Sequence, residues 1–277
     1  MIVATNVAFG EGPRWHEGAL WWSDMHGDRV NRLVDGAVET VCEVPTRPSG
    51  LGWLPDGRLL VVSMTDKRVL RREPDGALVT HADLSGLAPR RCNDMTVDRQ
   101  GRAYVGNFGF ELDGTEEPRP TVLIRVDPDG SAQVVADDLL FPNGSVIAED
   151  GRTLIIAETF GGRLTAFDVE GDGGLSNRRV WAQFTDGSVP DGICLDAEGA
   201  VWLASPRTNA CLRVREGGEI LQRIETGRPA YACMLGGKDR RTLYVCTADS
   251  HDPDRQRTER NGRIETFVVT APGAGCP

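Results

Sequence analysis

The chain has 277 residues, with 31 lysines and arginines against 41 aspartates and glutamates, so its formal net charge at pH 7 is −10. This acidic balance argues against a nucleic-acid partner or an anionic membrane surface, and no apolar run approaches the roughly 20 residues of a membrane-spanning helix. We therefore expect a soluble, cytoplasmic protein that binds neither nucleic acid nor membrane and is a monomer or a weak homo-oligomer.

A short segment recurs six times along the chain and runs into a tight glycine turn. In four copies the turn glycine follows a polar opening residue by eight positions, and these openers are Ser49, Asn93, Asn143 and Asp191. The first copy opens on Glu11 and is one residue shorter, whereas the sixth, around Ala230, is degenerate. Repeats of about 40 to 50 residues built from short strands predict the blades of a propeller.

A second short strand is predicted after each glycine turn, because β-branched, aromatic and aliphatic residues dominate there. These predicted second strands are Leu20–Trp22, Leu59–Val62, Ala103–Val105, Leu154–Ile156, Val201–Leu203 and Leu243–Val245. Third strands such as Val122–Val126 and edge strands such as Ala132–Val135 follow in most copies. Four strands in each of six copies use most of the chain, which predicts an all-β, six-bladed propeller over residues 1–277 as one domain.

The competing all-β folds are a sandwich and a barrel, and neither predicts a repeated opener at constant phase. A propeller also has to close on itself. Ile2–Ala4 is the candidate strand to pair with Arg263–Val269 in the last blade.

Residues that enter the innermost strands of a propeller converge around its axis. Glu11, Asn93, Asn143 and Asp191 would then present two carboxylates and two amide oxygens to one point. Each of them alone would be an ordinary turn residue, but four in one phase favour a cation site. Hard oxygen ligands favour Ca²⁺, with Mg²⁺, Mn²⁺ or Zn²⁺ as alternatives.

Four segments resemble the signature segments of the senescence marker protein (regucalcin), gluconolactonase and luciferin-regenerating enzyme family, in the family's order and over nearly the whole chain. They are Glu11–Trp15, Arg91–Asp94, Pro142–Gly144 and Pro190–Gly199. The resemblance implies a six-bladed propeller with one divalent metal on its axis, held by Glu11, Asn143 and Asp191. It further implies that Arg91 and Asn93 contact substrate in sugar lactonases, and that Asn93 joins the metal shell in phosphotriesterase-like members.

The chain departs from the family pattern after Asn93. Met95 follows Asp94 where the family typically has glycine, and Gly106–Phe110 replaces a segment of the Gly-Thr-Met type. Phe108 and Phe110 are therefore expected to make the rim of the site more apolar.

The resulting functional hypothesis is a divalent-metal-dependent hydrolase that opens a sugar lactone or related cyclic ester. Asp191 would be both a metal ligand and the general base for water, while Arg91 would orient the substrate. The alternatives are an organophosphate hydrolase or a small-molecule isomerase or cyclase on the same metal site. The non-enzymatic alternative is a metal-binding scaffold or regulator.

Other chemistry-bearing residues have simpler interpretations. The seven cysteines form no CxxC pair, and the four histidines form no HExxH motif, which favours reduced thiols and argues against a zinc site rich in imidazole. Cys92 lies between two site candidates, but it has no histidine near it in sequence and is interpreted as a packed thiol. Ser250-His251-Asp252 contains the residue types of a hydrolytic triad, but such neighbours rarely point at one another, so a loop is predicted.

Overall fold

The computed structural model describes residues 1–275, and over these residues it contains six antiparallel sheets of four strands each. We number the sheets as blades by the order in which their inner strands occur in the chain. Cys276, one of the seven cysteines, lies outside the described residues. The predicted all-β, six-bladed propeller is confirmed, whereas its extent as one domain over residues 1–277 stays a prediction.

Within each blade the strands follow one another from the axis outwards. Blade 1 consists of β2 (Gly10–His16), β3 (Ala19–Asp24), β4 (Arg29–Val34) and β5 (Ala37–Glu43). Blade 2 consists of β6 (Pro48–Trp53), β7 (Leu59–Ser63), β8 (Arg68–Arg72) and β9 (Leu78–Asp83). Blade 3 consists of β10 (Cys92–Val97), β11 (Ala103–Asn107), β12 (Thr121–Val126) and β13 (Ala132–Leu139).

The second half of the chain repeats this arrangement. Blade 4 consists of β14 (Pro142–Ile147), β15 (Thr153–Glu158), β16 (Arg163–Val169) and β17 (Leu175–Gln183). Blade 5 consists of β18 (Ile193–Leu195), β19 (Val201–Ser205), β20 (Ala210–Val214) and β21 (Ile220–Glu225). Blade 6 consists of β22 (Ala230–Gly236), β23 (Thr242–Thr247), β24 (Gly262–Val268) and β1 (Ile2–Val7).

Blade 6 joins the two ends of the described chain. Strand β1 pairs antiparallel with β24, so that Ile2 lies opposite Glu265 and Val7 lies opposite Gly262. The predicted closure of the ring by the first strand is therefore confirmed. Apolar side chains from neighbouring blades, including Trp22 and Trp202, fill the space between the sheets.

Inner strands of adjacent blades approach so closely that small residues are required beside the axis. A Cβ atom added to Gly144 would lie 2.6 Å from the Ile193 amide nitrogen, and one added to Gly192 would lie 2.4 Å from the Ala232 Cβ. The residues that precede these glycines, Asn143 and Asp191, are consequently held on adjacent blades at the centre of the ring.

The sixth repeat is offset by one residue from the predicted alignment. Ala230 pairs with Thr247 at the end of β23, just as Pro142 pairs with the last residue of β15. The Tyr231 carbonyl accepts a hydrogen bond from the Gly192 amide at 2.8 Å, the role that the Asp191 carbonyl plays for Gly144 at 3.2 Å. Tyr231, rather than Ala230, therefore occupies the sixth axial position.

One short helix interrupts the β-structure before the closing strand. Helix α1 (Pro253–Glu259) begins after Asp252, whose side chain accepts a hydrogen bond from the Arg255 amide, and it lies against a 3₁₀ turn at Met25–Gly27. Within residues 1–275, no helix combines the length and the apolar character needed to cross a membrane.

Candidate metal centre

Two buried carboxylates lie at the predicted axial positions. Glu11 is on β2 and Asp191 lies two residues before the start of β18, and each is only 7% exposed. Burial, followed by the negative charges of Asp191 and Asp94, raises the pKa of Glu11 well above its ordinary value. The influence of Asp191 on Glu11 agrees with the two predicted carboxylates lying near one another at the axis.

Asp191 has an unsatisfied oxygen. Burial, with the charge of Asp94, raises the pKa of Asp191 to about 8, although the neighbouring Asn143 side chain acts in the opposite direction. Its Oδ1 atom is buried and has no hydrogen-bond partner among residues 1–275. A buried polar atom without a partner is costly unless a ligand or ion satisfies it.

The two predicted amides use their nitrogens on neighbouring groups. Asn143 Nδ2 donates to Thr159 Oγ1 at 3.1 Å, and Asn93 Nδ2 donates to the Pro142 carbonyl at 3.4 Å. Asn93 and Asn143 are 5% and 7% exposed. The carbonyl oxygen of each amide thus remains as an acceptor for a cation.

An ion pair that the sequence did not predict lies next to the carboxylates. Arg14 Nη2 donates to Asp94 Oδ1 at 2.7 Å and to the Met95 carbonyl at 2.5 Å, and both charged side chains are about 95% buried. Burial acts to raise the pKa of Asp94, and the Arg14 charge and hydrogen bond act to lower it. Arg14 and Asp94 belong to the family-like segments Glu11–Trp15 and Arg91–Asp94, but nothing in their spacing predicts that they pair.

The charges and donor types of this cluster fit a hard divalent cation. Glu11, Asp94 and Asp191 carry three negative charges when ionised, and Arg14 balances one of them, which leaves two. Within residues 1–275, no group of three or more His, Cys, Asp or Glu side chains is arranged to hold a metal ion. The cation would accordingly take amide oxygens into its shell together with Glu11 and Asp191, a mixture typical of Ca²⁺ sites.

The sixth axial residue adds a phenol to this cluster. Tyr231 is 7% exposed, and its ring packs edge-on against Phe9 with centroids 4.6 Å apart. Burial and the nearby carboxylates of Asp191 and Glu11 raise the pKa of Tyr231, so that its hydroxyl stays protonated. Tyr231 was not predicted from the sequence, because the sixth repeat is degenerate.

Arg91 directly precedes β10, two residues before Asn93. Its side chain is 39% exposed, and Nη2 lies 3.4 Å from Glu111 Oε2. Glu111 also lies 3.6 Å from the Arg90 guanidinium. Glu111 directly follows the unusual Gly106–Phe110 segment, but no motif in the sequence indicates it as a site residue.

The apolar rim differs from the expectation. Phe108 and Phe110 are only 8% and 2% exposed, because both pack against Phe141 with ring centroids 4.5 and 5.8 Å apart. The exposed ring of this group is Phe160, which is 47% exposed and packs edge-on against Phe110. Phe108 and Phe110 were expected to make the rim more apolar, but both are buried, and Phe160 supplies the exposed ring.

The remaining candidates behave as their simpler interpretations predicted. Cys92 is fully buried, and burial raises the pKa of its thiol to about 12, so that it is not poised as a nucleophile. Ser250-His251-Asp252 forms a loop, in which Asp252 caps helix α1 and Ser250 Oγ accepts a hydrogen bond from the Asp252 amide. The six described cysteines form no disulfide.

Comparisons with known proteins agree with the fold and the placement of the motifs. The family model described as "SMP-30/Gluconolactonase/LRE-like region" matches residues 9–249. A 6-deoxy-6-sulfogluconolactonase of Pseudomonas putida is 28% identical over 286 residues, covering 100% of this chain and 96% of the relative.

Two solved structures superpose over nearly the whole chain. A calcium-binding protein, regucalcin, from Agrobacterium tumefaciens aligns with a TM-score of 0.83 and 24% identity, covering 100% of this chain and 95% of that one. A gluconolactonase from Xanthomonas campestris aligns with a TM-score of 0.76 and 26% identity, covering 96% and 89%. Since the family model spans most of the chain and includes every axial residue, the chain belongs to the SMP-30/gluconolactonase/LRE-like family.

Proposed function

We propose that this protein is a lactonase that depends on a divalent cation and opens a sugar lactone or a related cyclic ester. The observation that carries the proposal is the buried axial cluster, in which Asp191 Oδ1, near the Glu11 carboxylate, has no hydrogen-bond partner in the described part of the chain. The named activities of the relatives, a sulfogluconolactonase and a gluconolactonase, support the same reaction class.

Glu11, Asn143 and Asp191 would hold the cation, and Asn93 would complete the shell or turn towards the substrate. Ca²⁺ is favoured because the donor set consists of carboxylate and amide oxygens. When bound, the cation supplies Lewis acidity at the lactone carbonyl, an effect worth several kcal/mol of transition-state stabilisation.

Asp191 is the candidate general base. Its carboxylate takes a proton from the attacking water while the water oxygen forms a bond to the carbonyl carbon. The bond between that carbon and the ring oxygen then breaks, and the ring oxygen receives a proton as it leaves as a hydroxyl. General base catalysis of this kind contributes roughly 10²- to 10⁴-fold.

Arg91 and Asn93 are the candidate substrate-binding residues. Arg91 is partly exposed above the axis and is held loosely by Glu111, so its guanidinium is accessible to hydroxyl and carbonyl oxygens. Asn93 follows it by two residues on β10 and is buried. Together they would orient the ring so that its carbonyl carbon faces Asp191.

The experiment is a lactone panel assayed by acid release with added Ca²⁺, with a chelator, and with Ca²⁺ restored. We expect the chelator to abolish turnover and restored Ca²⁺ to recover it. Asp191→Asn should lower kcat by roughly 10²- to 10⁴-fold, and Glu11→Gln should weaken Ca²⁺ binding in calorimetry.

Asp168→Asn is the matched control, because Asp168 lies on outer strand β16 and pairs with Arg179 at the surface. It should leave turnover unchanged. Full activity of Asp191→Asn with Ca²⁺ bound would remove the base assignment. Ca²⁺ binding without turnover of any ester would favour a scaffold or regulator instead.

A further inference from the structure

In five of the blades, the same backbone hydrogen bond fixes the residue that lies two positions before the axial residue. The carbonyl two residues before the axial residue accepts from the amide that follows the second strand. In blades 2 and 3 this joins Arg47 to Met64 and Arg91 to Phe108, each at 3.0 Å. The equivalent residues in blades 1, 4 and 6 are Phe9, Phe141 and Pro229. Arg47 and Arg91 thus hold the same place on adjacent blades.

We call the end of the axis at which the inner strands begin the mouth. Because Arg47 and Arg91 hold the same position on adjacent blades, they lie on one side of it. The inner strands of blades 2 and 3 are so close that a Cβ atom on Gly50 would lie 2.3 Å from the Met95 amide nitrogen. Burial, followed by the positive charges of Arg91 and Arg257, lowers the pKa of Arg47, in agreement with this proximity. Blades 2 and 3 therefore present these two cations, whereas the axial carboxylates Glu11 and Asp191 come from blades 1 and 5. The third buried carboxylate, Asp94 of blade 3, is already paired with Arg14.

Arg47 is not neutralised by a direct partner. Among residues 1–275, no carboxylate lies within 4.0 Å of its guanidinium, and no hydrogen bond of its side chain is formed. Asp28 and Asp254 are the acids that influence it, and Asp28 is already paired with Arg257 at 3.0 Å. Arg91 is also only loosely paired, at 3.4 Å from Glu111.

We propose that Arg47 and Arg91 together bind an anionic group of the substrate, so that the preferred lactone carries a phosphate, sulfonate or carboxylate away from its reacting carbonyl. This inference rests on the proposed lactonase function. A chain with a net charge of −10 repels anions at long range. Two arginines with hydrogen-bonding capacity to spare at the mouth overcome that repulsion locally, and guanidinium groups match the geometry of oxyanions.

The arrangement also orients the substrate. An anionic substituent held over blades 2 and 3 is kept away from the carboxylates of blades 1 and 5. The uncharged lactone carbonyl is left to face the axis. Arg47 is therefore assigned a role in substrate specificity rather than in bond cleavage.

The test compares kcat/KM for 6-phospho-D-glucono-1,5-lactone and for D-glucaro-1,4-lactone with that for neutral D-glucono-1,5-lactone. We expect at least one anionic lactone to be preferred by about 10- to 100-fold. Arg47→Gln should remove about 10-fold of that preference, mainly through KM, and should leave the neutral lactone within about 2-fold. Arg47→Lys should retain an intermediate preference.

Arg223→Gln is the matched control, because Arg223 lies on outer strand β21 and pairs with Glu225. Equal loss of neutral and anionic turnover in Arg47→Gln, or no loss in either, would overturn the inference. Calorimetry with 6-phospho-D-gluconate and D-gluconate provides a second readout that requires no turnover. Arg47-dependent preference for the phosphorylated acid supports the anion site even if no lactone is hydrolysed, and equal binding of the two acids refutes it.

Discussion

At the scale of single residues, Thr159 determines how Asn143 faces the axis. Its hydroxyl donates to the Pro190 carbonyl at 2.8 Å, so it can only accept from the Asn143 side chain, which must then present Nδ2 to it. The Asn143 oxygen is consequently turned away from Thr159. The same hydroxyl also ties down the backbone directly before Asp191, so one residue positions two candidate ligands.

We predict that Thr159→Val weakens Ca²⁺ binding by roughly 10- to 100-fold, because the Asn143 amide loses the partner that fixes its orientation. Isothermal titration calorimetry measures the change directly. Thr159→Ser keeps the hydroxyl and should bind Ca²⁺ nearly as tightly as the parent protein.

Thr80→Val is the control for removing a threonine hydroxyl, because Thr80 is exposed on the outer strand β9. It should bind Ca²⁺ like the parent protein. If Thr159→Val also retained full affinity, the hydroxyl would not position Asn143.

The axial acids and amides could be predicted because Asn93, Asn143 and Asp191 each stand eight residues before a turn glycine, and Glu11 stands one residue closer to its own. Arg14 and Asp94 could not be paired in this way, since they are 80 residues apart and meet only when blades 1 and 3 converge on the axis. Thr159 could not be predicted for a similar reason, because its partners Asn143 and Pro190 precede or begin the inner strands of two different blades. Local spacing gives the positions that face the axis, but not the contacts made across it.

At the scale of the strand, every blade ends its second strand with a buried polar residue. These residues are Asp24, Ser63, Asn107, Glu158, Ser205 and Thr247. In blades 1, 4 and 5 they accept amide hydrogen bonds from the loop that enters the inner strand: Phe9 donates to Asp24, Leu140 to Glu158 and Val189 to Ser205. The blades that supply Glu11, Asn143 and Asp191 thus share this hydrogen bond, which fixes the loop that leads into the inner strand.

Glu158 is expected to make the stability of the fold depend on pH. Burial alone acts to raise its pKa, but hydrogen bonds from Arg163, the Leu140 amide and Thr165 outweigh burial, and the pKa lies below the ordinary 4.5. A carboxylate with a lowered pKa stabilises the fold above its ordinary pKa. That contribution is lost as the pH falls through the pKa of the folded state.

We predict that Glu158→Gln lowers the free energy of unfolding at pH 7 by about 3–5 kcal/mol, because it leaves the Arg163 guanidinium without its buried partner. Urea titrations at pH 7 and at pH 3.5 measure this. The difference between variant and parent protein should shrink at the lower pH, because below the ordinary pKa of glutamate the unfolded parent chain takes up the proton more readily than the folded one.

The control for Glu158→Gln is Glu225→Gln, since Glu225 forms a surface pair with Arg223. Such pairs contribute about 0–1 kcal/mol. A difference between Glu158→Gln and the parent protein that stayed constant with pH would rule out the assigned role of the carboxylate charge.

The strands themselves were largely predictable, because β-branched and aromatic runs between glycine turns recur with little variation. The sixth repeat was the exception. Its Tyr231 does not have the small polar character of the other openers, and only the pairing of Ala230 with Thr247 reveals the offset. Helix α1 was missed because it has only seven residues, too few for helical periodicity to stand out.

At the scale of the whole molecule, a single strand pair closes the ring between β1 and β24. Gly262 permits this pair, since a Cβ atom there would lie 2.6 Å from the Val7 carbonyl oxygen. Arg260 adds to the closure by donating to the Asn6 carbonyl at 2.9 Å and by pairing with Asp24 at 3.0 Å. Blade 6 is thereby tied both to the first strand and to blade 1.

We predict that Gly262→Ala destabilises the protein by about 1–3 kcal/mol, because the added methyl group forces β1 and β24 apart. Thermal unfolding measures the loss, and hydrogen exchange should show faster exchange confined to Ile2–Val7 and Gly262–Val268. Gly171→Ala is the control, because within residues 1–275 no atom beyond its own chain neighbours lies within 4 Å of a Cβ placed there. Uniformly faster exchange over all six blades in Gly262→Ala would show that the closure is not a separate unit.

The closure also bears on how the chain is made. About 255 residues separate Val7 from its partner Gly262, and at roughly 5–20 residues per second a ribosome needs about 13–50 seconds to synthesise that interval. During this time β24 has not yet been made, so the first strand lacks its partner. An unpaired strand edge is prone to pair with other chains. The ring can therefore close only after the inner strands of all six blades have been synthesised, and the nascent chain is exposed to aggregation until then.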